Sequence, residues 1–203
     1  MDLSTIFKSV TAQLTDKQST LNEADEYNHD HGDHMVQVFN LIQNAVSQKS
    51  DLPVAEQLSY ASQVVEKEAD SGSAKLYAQG LANAAKNFSG TELQPDTLGL
   101  LVKGLLNVEE EPPQKKETNF LGSLLSSLTG KTESSESDQK VGVDELLSAG
   151  MAFYQSKQEG GSTTDALIGA LLAASPLGQT KHRSMSGSLV ASSIMEFAKS
   201  FNK

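Results

Sequence analysis

The chain has 203 residues and a formal net charge of -10. That is room for one domain with an appended segment, and the acidity argues against a nucleic-acid partner, because phosphate binding needs clustered Lys and Arg. There is no Cys, which removes disulfides, thiolate metal sites and cysteine nucleophiles. The opening MDLSTIFKSV lacks the basic start and continuous apolar core of a signal peptide. No run of about 18 apolar residues follows, so no membrane span is expected and a cytoplasmic location is the default.

Apolar residues recur at helical spacing along most of the chain. Ile6, Val10 and Leu14 form a first stripe. After a polar break, Met35, Val38, Phe39, Ile42, Ala45 and Val46 form a second. Pro53 sits near a helix start, where its missing N–H costs nothing, and Val54, Leu58, Ala61 and Val65 follow it. Tyr77, Leu81, Ala84 and Phe88 make a fourth stripe ended by Ser89-Gly90, and Leu98, Leu101, Val102, Leu105 and Leu106 make a fifth.

The stretch around 108–140 reads as a polar, flexible insert. Its ends, Glu109-Glu110-Glu111-Pro112-Pro113 and Thr132-Glu133-Ser134-Ser135-Glu136-Ser137-Asp138, are too poor in apolar groups to offset ordering entropy. Phe120, Leu121, Leu124, Leu125 and Leu128 between them predict one short helix. The helical pattern resumes with Val143, Leu147, Met151 and Tyr154, then Ala166, Leu167, Ala170 and Leu171, and ends with Leu189 or Val190, Ile194, Phe197 and Phe201. No segment shows β alternation bounded by hairpin turns. The expectation is one all-α domain over residues 1–203, an up-and-down antiparallel bundle or barrel of eight or nine helices joined mostly by short loops. Gly80, Gly99, Gly104, Gly150 and Gly169 fall inside helical patterns, which points to close helix contacts.

The most informative stretch runs from Leu21 to Met35. Three of the four histidines, His29, His31 and His34, stand there with Glu23, Asp25, Glu26, Asp30 and Asp33. It leads into a helix, whose open N–H groups and positive dipole end suit phosphate. Carboxylates suit Mg2+, which shares phosphate oxygens. Two other readings stay open: a polar turn in which Asp33 caps the next helix, and a His-rich transition-metal site with His31 and His34 on one helix face.

The string Glu23, four residues, Asn28, His29, Asp30-His31-Gly32-Asp33-His34-Met35 resembles the signature of the nucleotide-binding L subunit (DhaL) of dihydroxyacetone, or glycerone, kinases. That signature spaces three aspartates identically and continues into His-Gly and Asn-Met. Asp30, His31, Gly32 and Met35 match in identity; Glu23, Asn28 and His34 replace two Asp and the Asn. Ser71-Gly72-Ser73-Ala74-Lys75-Leu76-Tyr77 resembles the family's turn opening its fourth helix. The stretch from Leu177 through His182, Arg183 and Gly187 to Ser188 resembles the loop before its last helix, with Met185-Ser186 where the family has Asp-Pro. Thr163-Thr164-Asp165-Ala166-Leu167 resembles part of the family's sixth helix.

The resemblance spans most of the chain. It implies an ADP- or ATP-binding domain with Mg2+ held at Glu23, Asn28 and Asp30. It implies nucleotide contacts at His31, Gly32, His34, Met35, Gly72, Ser73, His182, Arg183 and Gly187. It also implies phosphoryl transfer to a small hydroxyketone carried by a partner K subunit, with a homodimer as a further assembly. No nucleophile is required of this chain. The loss of about one negative charge at the metal positions keeps a second role open, that of a degenerate regulatory or scaffold domain. If the alignment holds, His182 joins the other three histidines at one end of the bundle.

Overall fold

The computed structural model describes residues 1–108 and 163–201. Among these, the chain forms eight α-helices, two 3-10 turns and no strand. The helices are α1 (Leu3–Asp16), α2 (Gln18–Glu23), α3 (His31–Gln48), α4 (Val54–Glu68), α5 (Gly72–Asn87), α6 (Leu98–Leu105), α7 (Thr163–Ala173) and α8 (Lys181–Phe201). The 3-10 turns are Pro95–Thr97 and Pro176–Gln179. The expected insert beyond Val108, its short helix, the stripe formed by Val143, Leu147, Met151 and Tyr154, and Gly150 lie outside the described residues.

Local chemistry sets the helix starts. Asp2 accepts from the Thr5 N–H at 2.7 Å and from the Thr5 hydroxyl at 2.8 Å, capping α1. Ser71 accepts from the Ala74 N–H at 3.0 Å, capping α5. Each cap satisfies N–H groups that the helix cannot bond itself. Gly90 ends the α5 region at φ 77, a backbone region that glycine enters without a Cβ penalty.

The apolar stripes face one another as an all-α bundle. α1 packs on α3 and α8, α3 on α4, α4 on α5, and α5 on α6. Ile6, Val10, Leu14, Met35, Val38, Phe39, Ile42, Leu58, Ala61, Val65, Tyr77, Leu81 and Ala84 are fully buried, as their spacing predicts. Leu3 and Phe7 join this core although the first stripe omits them. Val54 and Phe197 are only partly buried. Burying one such large side chain stabilises the fold by roughly 1.5–3 kcal/mol.

Two of the helix glycines are close contacts. A Cβ on Gly104 would stand 2.6 Å from the Ala84 Cβ, and one on Gly80 would stand 2.9 Å from the Leu105 carbonyl carbon, so α5 and α6 pack backbone to backbone. Gly99 has nothing within 4 Å and is no such contact. The polar break after α1 holds a six-residue helix, α2, and Glu23 is its last residue rather than part of a loop. Leu21 is its single buried residue, too little to write a periodic signal.

Candidate functional site

The N-terminal ends of α3, α5 and α8 meet, and their first-turn side chains form one polar cluster. His31, the first residue of α3, is 4 % exposed. Its Nε2 lies 2.9 Å from the Ser186 hydroxyl of α8 and its Nδ1 lies 3.5 Å from the Ser73 hydroxyl of α5. The ring packs on His182 of α8, centroids 4.6 Å apart. His182 Nδ1 faces Asp25 Oδ1 at 3.8 Å, and its Nε2 faces the Thr180 hydroxyl at 3.3 Å. Arg183 follows His182, and a Cβ built on Gly72 would stand 2.7 Å from its Nη2. The guanidinium therefore rests against the first turn of α5.

Proton positions follow from this network. The Ser186 hydroxyl donates to the Arg183 carbonyl at 3.1 Å, so its oxygen accepts from the His31 Nε2–H. His31 Nδ1 then accepts from Ser73. A neutral imidazole satisfies both contacts. Burial, reinforced by His182 and Arg183 and opposed by Asp25, pushes the His31 pKa down to about 4. Burial acts to raise the Asp25 carboxyl. The Tyr27 N–H at 3.2 Å, the His182 imidazole and the Asp30 N–H outweigh it and hold Asp25 below its ordinary value. Burial pushes the Tyr77 phenol up. Tyr77, fully buried one turn beyond Ser73, faces Ser186 without closing hydrogen-bond geometry.

The loop between α2 and α3 is built differently from the sequence expectation. Asn22 of α2 caps α3 from outside: its Oδ1 accepts from the Gly32 N–H at 2.6 Å and the Asp33 N–H at 3.2 Å. Asp30 holds the cap position with no side-chain cap bond, and Asp33 stands in the first turn. Asp33 accepts from Gln18 Nε2 at 2.6 Å and Asn22 Nδ2 at 3.1 Å, contacts that hold its carboxyl below its ordinary value. Gly32 packs against α2, where a Cβ would stand 2.7 Å from Asn22 Oδ1. The Gly32 and Asp33 amides are therefore already bonded and not open to phosphate.

The positions that the resemblance assigns to metal are scattered in role. Glu23 and Asn28 are exposed, and Asp30 is half-buried with its carboxylate 3.3 Å from His34 Nδ1. No three His, Asp or Glu side chains gather to hold a metal ion among the described residues. With an amide in one carboxylate place and an imidazole facing another, this donor set does not fit a two-ion magnesium cage. His31 and His34 do lie three residues apart on α3, but His31 is spent on serines and His34 on Asp30. Met35 is fully buried in the core. Gly187 is buried where a Cβ would stand 2.7 Å from Leu172 Cδ2 and so acts in helix packing. His29 is exposed at φ 58.

Thus His31, Ser73, His182, Arg183 and Gly72 come together, while Glu23, Asn28, Met35 and Gly187 take no part in the hydrogen-bonded cluster. Ser186, Tyr77, Asn22 and the pairing of Asp25 with His182 escape sequence reasoning. Serine and asparagine are ordinary helix-end residues, and only the fold gives them partners.

No family model, curated protein or solved structure matches the chain. No helix among the described residues is long and apolar enough to cross a membrane.

Proposed function

We infer that the chain is a divergent L-subunit-type domain of the dihydroxyacetone kinase class. On this reading it binds ADP or ATP at the polar end of the bundle and works with a K-type subunit in phosphoryl transfer to a small hydroxyketone. One observation carries the reading. The three segments that carry the resemblance lie far apart in the chain, yet His31 of the first touches Ser73 of the second and Ser186 of the third. Phosphoryl transfer rests on positioning and charge neutralisation, and Arg183 with the helix ends of α5 and α8 offers both to a phosphate. A second reading, a regulatory or scaffold domain, draws support from the Asp30–His34 contact and the exposed Glu23 and Asn28.

A calorimetric titration with ADP and Mg2+ separates the two. Saturable binding is expected, with a rise in melting temperature equivalent to about 2.7 kcal/mol at a hundredfold excess of ligand over Kd. No heat and no thermal shift would leave only the scaffold reading.

A further inference from the structure

We propose that the head of α8, from Lys181 to Gly187, is an acid-released latch. It stays docked while at least one imidazole of the His31–His182 pair is neutral, and it leaves the bundle when both carry protons. The inference goes beyond the nucleotide reading and does not depend on it.

The head of α8 is held more by polar contacts than by apolar packing. Ser186 bonds His31 Nε2, while His182 faces Asp25 and stacks on the His31 ring. His182 to Met185 are half-buried, whereas Val190, Ala191 and Ile194 further along the helix are buried in the core. Between this head and α2 runs an open groove of about 440 Å3, bordered by Thr20 and Leu21 on one side and Met185 and Leu189 on the other. Turns with one side open to solvent have few apolar contacts to lose on opening. The polar cluster therefore decides whether they stay docked.

The groups around His31 are set against a proton. α8 brings His182, whose ring centroid lies 4.6 Å away, and the Arg183 guanidinium, and α3 brings His34. Asp25, in the loop before α3, is the carboxylate that opposes them. α5 contributes the Ser73 hydroxyl and the Tyr77 phenol, which burial keeps protonated. α2 ends in Glu23, which is exposed. Asp30 is engaged with His34 and takes no part in a magnesium cage. With both imidazoles protonated, His31, His182 and Arg183 bring three positive charges together against the one negative charge of Asp25, in a partly buried site where water screens them little. Burial, with His182 and Arg183 and against Asp25, holds the His31 pKa down at about 4. Undocking the head wets the ring and parts it from His182 and Arg183, which returns it towards the ordinary 6.5. The open form then binds the proton more tightly, so acid favours opening.

The test is amide hydrogen exchange on the full chain from about pH 7 to about pH 4, the range that the His31 shift sets. Rates are expressed as protection factors, which cancel the intrinsic pH dependence of exchange, and a second series contains dilute urea. Protection at Ser184 to Gly187 is expected to fall roughly a hundredfold across this range. It should be lower throughout than protection at Ile6 to Val10 of α1 and should change little with urea, the mark of a local opening. His31→Gln should abolish the fall, with helicity by circular dichroism unchanged. His182→Gln, which removes the facing charge, should cut the fall to about a third or less, and it carries the test if His31→Gln does not fold. Protection of the head that does not vary with pH overturns the latch. So does protection equal to that of α1 and equally sensitive to urea, because the head would then open only with the whole fold. A fall that His182→Gln leaves at its parental size overturns the pairing of the two imidazoles, and the proposal with it.

Discussion

At the scale of single residues, glycine positions that look alike in the sequence separate by what stands over them. Gly32 sits in the first turn of α3 with the Gln18 carbonyl and Asn22 side chain against it. A methyl there meets backbone, which cannot rotate away. Gly32→Ala is therefore expected to destabilise the fold by about 1–3 kcal/mol in chemical denaturation. Gly99 has open space, so Gly99→Ala should stabilise by up to about 1 kcal/mol, the helix-propensity difference. Equal effects of the two would refute the contact assigned to Gly32. His31 carries a pH prediction. Its folded pKa, about 4, is below the ordinary 6.5, so the unfolded chain binds the proton more tightly. Its contribution is complete above about pH 6.5 and is lost as pH falls from there towards 4. The loss is on the order of 3 kcal/mol, and His31→Gln should remove that part of the slope in urea melts recorded across this range.

At the scale of elements, short polar devices fix how helices meet. Asn22 joins α2 to the head of α3. Asn107, at φ 54 just past α6, donates to the Leu76 carbonyl at 2.7 Å and accepts from Asn83 at 3.2 Å. It thereby pins the end of α6 to α5. Ser175, after α7, donates to the Leu106 carbonyl and ties α7 to the same place. Asn107→Ala loses both side-chain bonds and puts at positive φ a residue that tolerates it less readily than asparagine does; it should cost about 2–3 kcal/mol. Asn107→Gly relieves the backbone but not the bonds and should cost about 1 kcal/mol less. Denaturation midpoints that rank Gly below Ala would show that the backbone at this position is not the strained part.

The existence of most elements was legible. Among the described residues of α3 to α6, where each stripe has four or more apolar residues, as in Met35, Val38, Phe39 and Ile42, a buried helix face stands there. α2 was not legible, because one buried leucine in six residues gives no period. The candidate site was legible in part. His31, Gly72, Ser73, His182 and Arg183 were singled out and converge. The metal assignment at Glu23, Asn28 and Asp30 is what the resemblance implies, and a resemblance of motifs says nothing of which partner a carboxylate has already taken. Asp30 faces His34, and α3 is capped by a side chain from another helix.

At the scale of the molecule, α8 links parts of the chain that are distant in sequence. It packs on α1, α2, α3, α6 and α7, so the polar end exists only when the last helix is docked. Ile194 is fully buried on α8, and Ile194→Ala should destabilise the whole fold by about 2–5 kcal/mol. Far-ultraviolet and near-ultraviolet signals are expected to disappear in one transition, since the buried apolar residues of the described helices form one cluster. A separate early loss of the near-ultraviolet signal would mean that α8 undocks from a bundle that stands without it.

The sequence by itself determined the all-helical class, the inward face of the longer helices and the residue types gathered before α3, because apolar period and local composition are properties of neighbours along the chain. Only the tertiary structure decided that Asn22 takes the first amides of α3, that His31 meets Ser73 and Ser186, and that Asp30 faces His34. Those depend on side chains brought together from α2, α3, α5 and α8, over sequence separations that no local pattern records.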